Sequence, residues 1–266
     1  MFGYIYGYNA EAVNAEVTNN QFYSIEPALT DVVITSDSVI GAYAFYNADH
    51  IVNVTIPNTV ESLGELAFAY CDALHTVTFD ETCKIDTIKH GTFRDSVSLV
   101  MSTLPESVKV IEDYVFYNCV ANPIFTVQNT VTSIGEYTFS FDEKHLDSAL
   151  TTVTFEETCK IATIEEGLFK NATSLVMHEL PASVNTIETM AFENCYAEGF
   201  THFRVDNTVS TIEEAVFRGT DNLATLTLPF VGKEMNINDN NVVDKEEMFG
   251  WIYGWAINDG SEADIY

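Results

Sequence analysis

Positive charge is scarce in this chain: 11 Lys and Arg stand against 40 Asp and Glu, a formal charge of −29 over 266 residues. A surface of that sign repels phosphate backbones and anionic membranes, so nucleic-acid binding is excluded as an expectation. Long apolar runs are missing too. The longest, Met248 to Ile257, has ten residues, about half of what a membrane-spanning helix needs. The start, MFGYIYGYNAEAVNAE, has no basic stretch and no cleavage site, so an export signal is expected to lie outside this fragment.

Catalytic and metal signatures are equally sparse. No C-x-x-C occurs among Cys71, Cys83, Cys119, Cys159 and Cys195, and the six histidines form no H-x-x-x-H pair. G-x-S-x-G, H-E-x-x-H and a phosphate-binding Gly-Lys loop are all absent, so no catalytic residue is assigned and the chain is not expected to be an enzyme. An odd cysteine count at repeat-equivalent positions predicts buried free thiols stacked in a ladder. Acidic pairs such as Glu156–Glu157 and Glu165–Glu166 read as solvated charges in turns.

What is present is periodicity. Phe45, Phe68, Phe93, Phe116, Phe139, Phe169, Phe192 and Phe217 recur at steps of 23, 25, 23, 23, 30, 23 and 25 residues. The clearest coil runs Ile51, Val54, Ile56, Pro57, Val60, Leu63, Phe68 and Cys71. Its first part alternates as a short strand should, with Val54 and Ile56 inward and Asn53 and Thr55 outward. The longer steps are insertions at turns. A second periodicity overlies the first: TVTFDETCKIDTIKHGTF at 76–93 recurs as TVTFEETCKIATIEEGLF at 152–169, an offset of 76 residues. A third spans the chain, since MFGYIYG at 1–7 matches MFGWIYG at 248–254 in six of seven positions. That heptapeptide is expected to close a module, leaving residues 1–7 as the end of a preceding one.

The coil resembles the BspA-like leucine-rich repeats, whose unit reads L-x-x-I-x-I-P-x-x-V-x-x-I-G-x-x-A-F-x-x-C. Ile40–Phe45 (IGAYAF), Leu63–Phe68 (LGELAF) and Ile134–Phe139 (IGEYTF) carry the likeness, which covers roughly residues 29–229. Ser102 and His178 depart from it, in a slot that is Val or Ile elsewhere. The resemblance implies a secreted or wall-displayed protein that engages other proteins or host surfaces, and it implies no reaction.

The expected fold is therefore a right-handed, β-rich leucine-rich-repeat solenoid with one short parallel strand per coil of about 23 residues and few or no helices. Residues 1–28 form a lead-in, 29–228 the solenoid and 229–266 a C-terminal cap. The expected function is a non-catalytic recognition or adhesion module at a cell surface, monomeric and not inserted in a membrane, with a protein or host-surface ligand. A structural spacer in a tandem-module stalk and a carbohydrate-binding module are the alternatives.

Binding is expected on the concave face, at the outward strand positions. There Thr gives way to Met101, Ile124, Met177, Glu179, His202 and Arg204, alongside Thr126 and Thr154. A second candidate is a calcium loop with EF-hand-like spacing, holding Asn236, Asn238, Asn240, Asp244 and Glu247 at positions 1, 3, 5, 9 and 12. It departs from that loop in having Asn at its first and sixth positions, so an unliganded loop is the simpler reading and no cofactor is required.

Overall fold

Each coil contributes a two-residue strand and a tight corner around its Phe, and most contribute a longer strand as well. The computed structural model describes residues 29–35, 38–230 and 252. The longer strands are β1 (Asp31–Val33), β3 (Asn53–Ile56), β5 (Thr76–Phe79), β8 (Ile124–Val127), β10 (Thr152–Phe155), β13 (His202–Arg204) and β15 (Thr225–Thr227). The shorter ones are β2 (Val39–Ile40), β4 (Ser62–Leu63), β6 (Thr87–Ile88), β7 (Val110–Ile111), β9 (Ser133–Ile134), β11 (Thr163–Ile164), β12 (Thr186–Ile187) and β14 (Thr211–Ile212). Every pairing among them is parallel. The chain is thus a parallel β-solenoid of about eight coils, with no helix among the described residues.

Strand alternation sets the register. In β3, Val54 and Ile56 are buried while Asn53 and Thr55 face out, and Asn53, Val54, Thr55 and Ile56 align with Thr76, Val77, Thr78 and Phe79 of β5. A one-residue slip would carry every apolar side chain to the wet face, so burial of one face holds the register.

The corners hold the coils together. All eight recurrent phenylalanines are buried, and consecutive rings stack at 5.1–6.0 Å with interplanar angles of 5–27°. Backbone bonds run beside this column: the Phe45 amide donates to the Ala67 carbonyl at 2.8 Å, and the same bond recurs from Phe68 to Thr92 and from Phe93 to Val115. To fold so tightly, the chain takes positive φ two residues before and two after the Phe, as at Tyr114 and Asn118 around Phe116. Asn tolerates that conformation better than most residues, which accounts for the Phe-x-Asn triplets. Gly167 occupies the earlier position with φ +56°, and a Cβ there would lie 2.3 Å from the Tyr137 ring.

The cysteines are free and buried, but they do not form one ladder. Cys71, Cys119 and Cys195 follow the Phe by three residues, and their thiols donate to the carbonyls of Phe45, Phe93 and Phe169 one coil earlier, at 3.0, 3.2 and 3.1 Å. Ser96 fills the same slot in its coil and donates to the Phe68 carbonyl at 2.7 Å. Cys83 and Cys159 sit elsewhere, in turns after β5 and β10, where their amides bond to Asp80 and Glu156. Desolvation pushes the Cys71 thiol up to about 12 and raises Cys119 and Cys195 as well.

The last described coil meets Ile252. Ile252 is buried in the common core, and its carbonyl accepts the Phe217 amide at 2.9 Å, as Val216 does for Phe192. The rest of the heptapeptide at 248–254, expected to close the module, lies outside the described residues, as do residues 1–7.

Candidate functional site

The outward side of the longer strands carries the candidate surface. Nine strands were expected along it and seven form. They fall into three groups, β1-β3-β5, β8-β10 and β13-β15, and the two breaks fall in the coils of Met101 and Met177.

The cause is a phase slip of one residue. In both coils the polar residue, Ser102 or His178, occupies the slot that points into the core elsewhere, and an apolar Met precedes it. Burying an imidazole or an unpaired hydroxyl costs more than breaking a strand, so the backbone turns the Met inward and the polar side chain out. Met101 and Met177 are each 6% exposed, whereas Ser102 and His178 are exposed. Both methionines, expected on the binding face, are corrected to core residues. The Met101 amide, cut off from a strand ladder, donates to the buried Asn122 Oδ1 at 3.0 Å. The carbonyls of Ser102 and His178 still accept the amides of Thr126 and Arg204, each at 2.8 Å.

The remaining candidates stand where expected. Ile124 is 48% exposed, Thr154, Glu179, His202 and Arg204 are exposed, and Thr126 is half-buried. Val33, an outward position of the first strand, is 67% exposed, and sequence reasoning missed His178. Below Val33, Asp31 accepts from Thr30 and from Asn53 Nδ2 at 2.7 and 2.8 Å, which hold its carboxyl below the usual range.

The phase slip creates the most distinctive geometry on this face. Turned outward, His178 stacks on His202 of the next coil with ring centroids 3.9 Å apart and planes within 5°. His178 Nδ1 lies 3.1 Å from the His202 carbonyl. A carbonyl only accepts, so Nδ1 carries the proton, and in the neutral ring Nε2 is left as an acceptor. The backbone of Glu179 forms an isolated parallel β-bridge with that of Arg204, whose guanidinium reaches Asp206 at 3.0 Å. Two imidazoles, a guanidinium and a carboxylate thus share one patch spanning two coils, beside Thr225 and Thr227 of β15.

Among the described residues no three His, Cys, Asp or Glu side chains are grouped to hold a metal ion, and no helix is long and apolar enough to cross a membrane. The calcium-loop candidates Asn236, Asn238, Asn240, Asp244 and Glu247 lie outside the described residues.

A family model of the BspA type Leucine rich repeat region matches six copies, over residues 15–146 and 144–241. The chain belongs to that family. The match extends past the expected solenoid bounds of 29–228 on both sides. A leucine-rich repeat protein from Bacteroides ovatus is similar in structure, at 21% identity and a TM-score of 0.57, over 71% of this chain and 49% of that one. This chain therefore spans about half the length of that protein. A leucine rich cell surface protein from Faecalibacterium prausnitzii matches at 20% identity and a TM-score of 0.49, over 78% of this chain and 70% of that one. The leucine rich repeat protein of T. pallidum matches at 22% identity and 0.47, over 73% and 78%. No curated protein matches the chain. Modules of this BspA type commonly serve at surfaces or in protein interaction.

Proposed function

We propose that the chain is a non-catalytic protein-recognition module displayed at a cell surface, binding through the outward side of its longer strands. The patch of His178, Glu179, His202 and Arg204 is its centre, and Ile124, Thr126 and Thr154 extend it. The observation that carries this reading is the His178–His202 stack at 3.9 Å. A spacer gains nothing from exposing two imidazoles and a guanidinium where Thr, a good strand former, serves in most other coils. Arg and aromatic-like flat rings are the side chains on which binding energy concentrates at interfaces. The charge of −29 further favours a partner with a basic surface and speeds its approach.

The test is surface plasmon resonance of the chain against a panel of extracellular-matrix proteins, with His202→Ala/Arg204→Ala as the comparison. The expected result is at least one partner whose affinity falls about tenfold or more in the double variant. A chain that retains no panel protein, or a double variant that binds as well as the parent, would favour the spacer.

A further inference from the structure

A second surface, separate from the patch above, collects cations the rest of the chain avoids. Lys84, Lys109 and Lys160 are three of the eleven Lys and Arg in the molecule, and all three line one groove of about 470 Å³. Asp86, Glu106, Ser107, Thr130 and Thr132 complete it. The repeat explains the convergence. Ile85, Val108, Val131 and Ile161 enter the core just before the shorter strands β6, β7, β9 and β11. Their neighbours therefore point outward: Lys84 and Asp86 around Ile85, Ser107 and Lys109 around Val108, Thr130 and Thr132 around Val131, and Lys160 before Ile161.

The lining is unsatisfied in a directed way. Lys84 has only a long contact with Glu61, at 3.5 Å, and among the described residues Lys109 and Lys160 have no ion-pair partner. Ser107 and Thr132 donate their hydroxyl protons to the Ile85 and Lys109 carbonyls at 2.8 and 3.1 Å, so their oxygens remain acceptors. Thr130 Oγ1 is hidden from solvent with no hydrogen-bond partner. A buried hydroxyl without a partner is uncommon and calls for a cause.

We propose that this groove binds an anionic oligosaccharide. The ammonium groups of Lys109 and Lys160 take its carboxylates, the Ser107 and Thr132 oxygens accept from sugar hydroxyls, and Asp86 and Glu106 accept sugar O–H groups. An acidic peptide fits less well, because no aromatic or aliphatic residue lines the groove to anchor a side chain.

Isothermal titration with tetragalacturonate, at about 0.15 M salt where a Debye length of about 8 Å screens the distant acidic surface, tests it. The parent chain and the Lys144→Ala control should bind equally. Lys109→Ala/Lys160→Ala, with an unchanged circular dichroism spectrum, should bind about tenfold more weakly or worse. Neutral maltotetraose should not bind. The proposal is overturned if the parent does not bind tetragalacturonate, if the double variant binds as tightly, if maltotetraose binds equally well, or if a hexaglutamate peptide binds more tightly.

Discussion

The amide of Phe217 donates to the carbonyl of Ile252 at 2.9 Å, across 35 residues of sequence, and so ties Ile252 to the last described coil. This bond repeats the one that Phe45, Phe68, Phe93, Phe139, Phe169 and Phe192 make to the next coil. Ile252→Ala should therefore lower stability by about 2–5 kcal/mol. Deleting residues 248–266 should leave Phe217 and its neighbours wet. A melting curve and the fluorescence of a hydrophobic dye check this, and a truncated chain that melts and stains like the parent would mean that the coil needs no cover.

Phe116 lies in the middle of the column, 5.7 Å from both Phe93 and Phe139. Phe116→Ala should cost about 3–5 kcal/mol. Each coil contacts only its neighbours, so the loss should appear in denaturant unfolding as reduced cooperativity as well as a lower midpoint.

The repeat, the inward Val and Ile positions and the phenylalanine column were legible in the sequence because each depends on spacing alone. The methionines were not, because Ser102 and His178 break the alternation that the other coils keep. The signal was there: a polar residue in an inward slot directly after an apolar one in an outward slot marks a one-residue slip. The lysine groove was hidden for another reason. Lys84, Lys109 and Lys160 are far apart in sequence and meet only when coils of different length are stacked.

The slip itself is testable. Met101→Thr/Ser102→Val restores the usual alternation and should join β5 to β8 through a strand at 101–104, which a crystal structure of the variant would show. In the parent, Asn122→Ala strips the Met101 amide of its partner and should cost about 1–3 kcal/mol, read by chemical denaturation.

Buried thiols also fix the alkaline behaviour. Burial raises Cys71 to about 12 and moves Cys119 and Cys195 the same way. A raised folded pKa means that the native state holds its proton when the unfolded state has lost it. The contribution is therefore whole below about pH 8.5, the ordinary thiol value, and is lost as pH climbs through the folded values. Melting temperature should fall above about pH 8.5, and Cys71→Ser/Cys119→Ser/Cys195→Ser should shallow the fall. At pH 7 a thiol-reactive dye should label few or none of the five cysteines before denaturation and all five after it.

Carboxylates act in the opposite pH range. Burial, with repulsion from Glu188, Glu136 and Asp113, raises Glu165, and Glu136 is raised similarly. Their protonation favours the folded state, so the chain should melt higher at pH 5 than at pH 7, and Glu165→Gln should raise the melting temperature at pH 7 and reduce the difference. A chain that melts lower at pH 5 would mean that the carboxylates held low, such as Asp31 and Asp142, dominate.

Recognition through the longer-strand face is the central claim, and hydrogen–deuterium exchange with a bound partner reads it residue by residue. The account predicts that a partner found on the matrix-protein panel slows exchange in peptides covering 178–179 and 202–204, and leaves the corners around Phe45 and Phe68 unchanged. Protection confined to those corners, or to the shorter strands, would contradict it.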